Sequence, residues 1–163
     1  MVRSCFEGLW LRFSLSRFGR FLRLDTLPVD ILVNERFTRF LVQSGQFRAG
    51  SGRVMPSSLL PYLNPKSQRL ETSIHRIDGM RARLIWVLGY LYVEKKKPDR
   101  RIKARATGEV ALVTSQDLLL EVNGEPYPRH ADIIGWPTSG KPAQMMLATQ
   151  IANEMILELD PRG

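Results

Sequence analysis

The spacing of apolar side chains changes abruptly in the middle of the chain. Residues 71–77 are rich in β-branched side chains and lead into the turn pair Asp78-Gly79, a combination that predicts a strand followed by a turn. In the residues that follow, the apolar positions are three or four apart, which predicts a helix. The helical positions are Met80, Leu84, Ile85 and Leu88. The sequence therefore predicts a strand, a turn and a helix in direct succession.

Similar patterns predict further elements on both sides of this unit. In chain order they are a short helix at about 35–42, a strand at about 102–107, a short helix at 108–116, a buried strand at 117–122 and a long helix at 139–159. Residues 125–137 contain three prolines, which predict a rigid connecting loop. We therefore expect a single α+β (or α/β) domain over residues 29–163, with a small mixed sheet of three or four strands covered by helices.

The first 28 residues differ from the rest in composition. Up to residue 24 the chain carries five arginines and one acidic residue among serines and large apolar side chains. Such a segment is a loosely ordered extension, a helix docked on the domain, or a targeting or membrane-surface segment. Pro28 marks its end. We expect residues 1–28 to be an arginine-rich N-terminal extension that the fold does not require.

Composition limits the possible classes of function. The chain of 163 residues has one cysteine and two histidines, so it has no internal disulfide and too few nitrogen and sulfur ligands for a closed zinc site. No apolar run approaches the roughly 18 to 20 residues needed to cross a bilayer. We expect a cytoplasmic protein without integral membrane association, and we predict no cofactor and no metal site.

Charge is distributed unevenly along the chain. The formal net charge is +8, and residues 66–105 alone carry twelve basic and four acidic side chains, whereas residues 106–163 are net acidic. The densest basic run, residues 94–105, contains seven of the 24 basic side chains. Such a run attracts phosphate-bearing polymers, so we predict an accessory protein that binds RNA or DNA, or another phosphate-bearing partner, through a basic loop. The predicted contacts are Lys95, Lys96, Lys97, Arg100, Arg101, Lys103 and Arg105.

The two histidines support a second hypothesis. Alternation along the predicted strand 71–77 places His75 on one face with Glu71 and Ser73, and the rigid loop 125–137 carries Arg129 and His130. Cleavage of a phosphodiester without a metal needs a general base, a general acid and a cation near the developing negative charge. His75, His130 and Arg129 are therefore candidate catalytic residues, provided that the loop folds over the histidine face of the strand.

A third hypothesis concerns the predicted C-terminal helix at 139–159. Its apolar stripe is rich in methionine and is more than half the circumference wide, which is typical of a core helix or of a surface that binds a protein partner. The sequence leaves open whether the protein binds nucleic acid, cleaves a phosphate ester or recognises another polypeptide through this helix.

Three blocks of sequence resemble a group of short, uncharacterised bacterial proteins. The blocks read ETSIHRIDG, IWVLG and PRHADIIGWP and occur in this order between residues 71 and 137. The resemblance extends over roughly residues 35–160 and excludes the arginine-rich opening. It implies no particular activity, fold or catalytic residue.

Overall fold

A computed structural model describes residues 27–95 and 99–163, so most of the predicted N-terminal extension lies outside the described residues. The described backbone contains the strands β1 (Arg36–Leu41), β2 (Phe47–Arg48), β3 (Arg53–Val54), β4 (Tyr62–Leu63), β5 (Leu70–Arg76), β6 (Ala104–Glu109), β7 (Leu119–Val122), β8 (His130–Ile134) and β9 (Ile156–Leu159). Its α-helices are α1 (Ala82–Gly89), which continues into a π-helical turn at Tyr90–Glu94, α2 (Val110–Thr114) and α3 (Lys141–Glu154).

Seven of these strands form one antiparallel sheet. Its order is β7-β8-β5-β1-β6-β9, and β4 pairs with β5 outside this path. β2 and β3 form a separate hairpin. The prediction of a small mixed sheet of three or four strands covered by helices is therefore wrong, because seven of the described strands form one sheet and all their pairings are antiparallel.

The central strand β1 accounts for part of this error. Its segment was predicted to be helical because Phe37, Phe40 and Leu41 are three or four positions apart. In the fold, β1 is covered on both faces: Phe37 and Leu41 belong to one hydrophobic core, and Phe40 belongs to another. A strand that is buried on both faces loses the simple alternation of apolar and polar residues, so periodicity alone does not distinguish it from a helix.

Two further strands were predicted as other structures. β8 lies inside the predicted proline-rich loop, because the prolines at 126, 128 and 137 flank its five residues without entering it. β9 lies inside the helix predicted at 139–159, because α3 ends at Glu154 and Met155 is already extended. By contrast, the strand predicted at 71–77, the following helix and the short helix at 108–116 correspond to β5, α1 and α2.

The sheet separates two hydrophobic cores. The larger core lies against α3, whose Ala148, Ile151 and Ala152 pack onto strand residues such as Ile74 and Ile133. The smaller core lies on the opposite face at β1, where α1 contributes Ile85, Trp86 and Leu88. The cavity described below adjoins this smaller core.

A buried ion pair joins the segment before β1 to β5. The guanidinium of Arg76 donates two hydrogen bonds to the carboxylate of Glu35, at 2.5 and 2.7 Å, and a third, at 2.8 Å, to the carbonyl of Pro28. Both charged side chains are at least 96% buried. Removing one partner of such a pair leaves an uncompensated charge in the interior, so this contact fixes the chain at the entrance to β1.

We predict that Gly89→Ala destabilises the protein. A Cβ atom at this position would lie 2.5 Å from Cε1 of Phe40 and 2.9 Å from Cδ1 of Ile102. Overpacking of this kind costs about 1 to 3 kcal/mol, and most of this range exceeds the roughly 1 kcal/mol that alanine gains over glycine in a helix. Urea denaturation should show a lower free energy of unfolding. Gly50→Ala is the matched control, because nothing lies within 4 Å of its added Cβ, and equal stability of the two variants would contradict the prediction.

Candidate active site

The two histidines lie opposite each other on adjacent strands. β5 and β8 pair antiparallel with His75 in register with His130, and residues directly opposite in such a ladder project from the same face of the sheet. Their ring centroids are 5.6 Å apart, and the ring planes meet at 68°. Both rings are therefore within reach of one small ligand.

The two rings border a cavity of about 320 Å³. A volume of this size is at the lower end of the range for small-molecule sites, roughly 300 to 1,000 Å³. The polar or aromatic side chains at its wall include Arg39, Ser73, His75, Tyr92, Arg100, Tyr127 and His130. The cavity thus combines two imidazoles with two guanidinium groups and two phenols.

His75 lies among aromatic rings. Its ring lies 5.0 Å from Phe40 and is stacked at 5.8 Å on Tyr127, whose hydroxyl is hydrogen-bonded to Nδ1. Burial, followed by the positive charges of His130 and Arg39, lowers the pKa of His75 well below its ordinary value. Burial also raises the pKa of Tyr127 well above its ordinary value. At neutral pH, His75 is therefore an uncharged ring next to an uncharged phenol.

His130 has a more polar environment. Its Nδ1 lies 2.7 Å from Oδ1 of Asn123, and the amide nitrogen of Asn123 donates to Oδ2 of Asp132. The Asp132 carboxylate is buried on β8, two residues from His130 and on the same face of the sheet. One histidine therefore lies among aromatic rings, and the other lies one amide group away from a carboxylate.

The two arginines reach the cavity from different elements. Arg39 extends from β1 towards β5, where its Nη1 donates to the carbonyl of Ser73 and its Nε donates to the carbonyl of Ser58 at 3.2 Å. Arg100 is exposed and belongs to the basic run. Because a guanidinium keeps its charge in proteins, these residues make the cavity suited to an anion.

The other predicted catalytic residue lies elsewhere. The guanidinium of Arg129 is buried and donates to the carbonyl of Asp78 at 2.8 Å. Trp136, at the end of the same proline-containing segment, lies in the larger core and donates from Nε1 to the carbonyl of Ile133 at 3.1 Å. Neither belongs to the described residues that line the cavity.

Arg39, Asn123 and Tyr127 were not predicted from the sequence as site residues. Arg39 lies in a segment that was predicted as a helix, and Asn123 precedes Gly124 in a pair that is typical of turns. Tyr127 carried the best available signal, because it stands between two prolines in the segment that leads to His130.

The basic run is a loop whose ends are tied together. The backbone N–H of Ile102 donates to Oε2 of Glu94 at 3.1 Å, and Arg101 donates to the carbonyl of Arg162 at 2.8 Å. Among the predicted nucleic-acid contacts, Lys95, Arg100, Arg101 and Lys103 are exposed, and Lys96 and Lys97 lie outside the described residues. Of these exposed cations, Arg100 lines the cavity.

Arg105 differs from the other basic residues of the run. Its side chain is buried, pairs with Glu158 at 2.6 Å and lies over the ring of Trp86 at 4.9 Å. These contacts join β6 to β9 and α1. Because the guanidinium is buried in them, it is not accessible to a phosphate in solution.

A polar cluster at the C-terminus supports the base of the same loop. Arg162 pairs with both Asp160 and Glu94, and its guanidinium lies 3.5 Å from the centre of the Tyr90 ring. The Tyr90 hydroxyl donates to Asp160 at 2.8 Å. Burial, together with this hydrogen bond, raises the pKa of Tyr90 to about 12, so the hydroxyl remains a donor at every physiological pH.

The long helix α3 packs its buried residues onto the sheet, and Met146 is the large apolar side chain that it exposes most clearly. The hypothesis that this helix binds a protein partner stays a prediction.

Among the described residues, no helix is both long enough and apolar enough to cross a membrane. In the same part of the chain, no three His, Cys, Asp or Glu side chains are grouped so that they could hold a metal ion.

No protein-family model, curated protein or solved structure matches this chain. The resemblance to short bacterial proteins therefore stays a prediction.

We predict that His75 makes stability depend on pH. At a pH below the ordinary histidine pKa near 6.5, His75 is protonated in the unfolded chain. In the folded protein the ring stays neutral, because its pKa is lowered. Acid therefore favours the unfolded state, by up to about 1.4 kcal/mol per pH unit until the folded pKa is reached. Urea midpoints measured between pH 7.5 and 5 should fall less steeply in His75→Gln than in the wild type. Parallel curves for the two proteins would rule out this contribution.

Proposed function

We propose that the protein cleaves RNA phosphodiester bonds by acid–base catalysis with His75 and His130. One observation carries the proposal: the two rings lie 5.6 Å apart and open onto the same cavity as Arg39 and Arg100. This arrangement supplies the three groups that the reaction needs, which are a base, an acid and a cation near the phosphorus.

The surroundings of the histidines suggest their roles. His75 is neutral at neutral pH, so it is suited to accept the proton of a ribose 2′-hydroxyl. The 2′-oxygen then attacks phosphorus, and the 5′-oxygen leaves with a proton from the protonated ring of His130. One proton is taken up and one is delivered, and the product is a 2′,3′-cyclic phosphate with a free 5′-hydroxyl. Arg39 and Arg100 stabilise the negative charge that develops on the phosphoryl oxygens.

The dimensions of the site support this assignment. Proton transfer requires contacts of roughly 3 Å between the imidazole nitrogens and the reacting oxygens. Two rings whose centres are 5.6 Å apart can therefore contact the entering and the leaving oxygen of a single phosphorus. Tyr92 lines the cavity and is stacked on Tyr127 at 4.1 Å, so it offers an aromatic face to a nucleotide base.

The exposed basic loop favours a second candidate function, which is binding of nucleic acid without cleavage. Lys95, Arg100, Arg101 and Lys103 are exposed around the loop ends. Each phosphate that such residues neutralise adds affinity without regard to sequence. In the proposed enzyme the same loop delivers the RNA backbone to the cavity, since Arg100 belongs to both.

We predict that purified protein cleaves mixed-sequence RNA in the presence of EDTA and leaves 2′,3′-cyclic phosphate ends. Removing the base or the acid should lower the rate by about 10²- to 10⁴-fold, so His75→Gln and His130→Gln should each be nearly inactive. Cleavage can be followed on an end-labelled oligonucleotide. An otherwise identical oligonucleotide with one 2′-deoxyribose should resist cleavage at that nucleotide alone.

Thermal denaturation of the histidine variants provides the control for folding. A folded variant with wild-type cleavage would remove that histidine from the mechanism. Cleavage that persists at the 2′-deoxy position would reject 2′-hydroxyl attack, and a wild-type protein that binds RNA without cutting it would favour the second candidate function.

We predict that charge reversal in the basic loop abolishes RNA binding. The test variant changes Lys95, Lys96, Lys97, Arg100 and Arg101 to glutamate. Wild-type affinity, measured by filter binding, should also decrease steeply as salt rises, because binding releases counterions from the phosphates. The control variant makes the same change of charge at five other exposed sites, namely Arg53, Lys66, Arg81, Arg83 and Lys141. Equal loss of binding in both variants would indicate that net charge, and not this loop, attracts RNA.

A further inference from the structure

We infer that Asn123, held in place by Asp132, is a positioning residue that fixes the tautomer of His130. The expected effect of Asn123 on the rate of cleavage rests on the proposed function. The tautomer itself follows from hydrogen bonds around the ring and can be measured in a protein that has no activity.

The orientation of the Asn123 amide is determined by two neighbours. Its Oδ1 accepts the backbone N–H of Glu125 at 2.9 Å, and a backbone N–H can only donate. Its Nδ2 lies against Oδ2 of Asp132, and an ionised carboxylate can only accept. Reversing the amide would therefore place two donors together on one side and two acceptors together on the other.

This orientation assigns the proton on the His130 ring. Nδ1 of His130 lies 2.7 Å from Oδ1 of Asn123, and an amide oxygen only accepts, so Nδ1 must carry the hydrogen. In a neutral imidazole the other nitrogen then carries the lone pair. Nε2 is therefore the atom through which His130 gains and loses its catalytic proton, while the Nδ1–H bond is kept in both protonation states.

Asp132 stabilises this arrangement from within the sheet. Its position on β8 is fixed by pairing with Ser73 on β5 and with Glu121 on β7. The side chain is 4% exposed, and its Oδ1 has no hydrogen-bond partner among the described residues. A buried carboxylate with one oxygen unbonded is costly. Its Oδ2 accepts a hydrogen bond from the Asn123 amide and so holds that amide against the His130 ring.

The first experiment reads the tautomer directly. The chain contains only two histidines, so ¹⁵N–¹H correlation spectra of His75→Gln report on His130 alone. At about pH 9, above the ordinary histidine pKa near 6.5, we expect a protonated Nδ1 and an unprotonated Nε2. An Nε2–H tautomer in this spectrum would overturn the inference, whether or not the wild type cleaves RNA.

The second experiment exchanges the two positioning side chains. Asn123→Ala should shift His130 towards the Nε2–H form and reduce kcat by about 10²-fold, the order contributed by one acid–base group, with little change in KM. Asn123→Asp keeps the acceptor for Nδ1–H but places two carboxylates in contact. The double variant Asn123→Asp, Asp132→Asn restores a donor and acceptor pair and should recover both the Nδ1–H tautomer and most of the rate.

The outcomes separate this inference from the proposed function. A purely structural role would lower thermal stability in all the variants without changing the tautomer, and that result would overturn the inference. An unchanged tautomer in folded Asn123→Ala would do the same. If the wild type shows the Nδ1–H tautomer and the variants change it while no protein cleaves RNA, the positioning of His130 stands and the cleavage proposal fails.

Discussion

The pairing of β5 with β8 is the constraint on which the candidate site depends. Side chains alternate between the faces of a strand, so a slip of one residue would move His130 to the opposite face of the sheet. The register is set by the other face, where Ile74 lies opposite Ala131 and Thr72 lies opposite Ile133 in the larger core. The hydrophobic core on one side of the sheet thereby determines that His75 and His130 meet on the other side.

Close packing on the histidine face gives the site its shape. Gly89 allows α1 to approach β1 so closely that a Cβ atom would overlap the ring of Phe40. Phe40 in turn lies 5.0 Å from His75 and forms part of the cavity wall. Protein interiors are close-packed and transmit strain. A shift of α1 would therefore displace Phe40, and Phe40 would displace the ring of His75. The site is therefore sensitive to residues that touch no ligand.

The sequence allowed the local elements to be predicted better than their assembly. β5, α1 and α2 were predicted because their apolar periods are regular, and the face of His75 followed from alternation alone. β1 and β8 were not predicted, because a strand covered on both faces and a strand flanked by prolines each lack the expected pattern. His75 and His130 are close because two strands that are distant in sequence pair with each other. The local spacing of apolar residues carries no information about such a pairing. The same limit explains why Arg129 was chosen from its position in sequence, whereas Arg39 reaches the cavity from a distant strand.

The separation of the histidines also bears on how they can share the proposed work. Two positive charges 5.6 Å apart repel each other by about 3 kcal/mol at an effective dielectric constant of 20. This repulsion disfavours a state in which both rings are protonated. Burial and the positive charges around His75 lower the pKa of that ring, whereas His130 is hydrogen-bonded to the Asn123 amide. The proposed cleavage needs an acid and a base in the same cavity at the same pH, which a single histidine cannot provide.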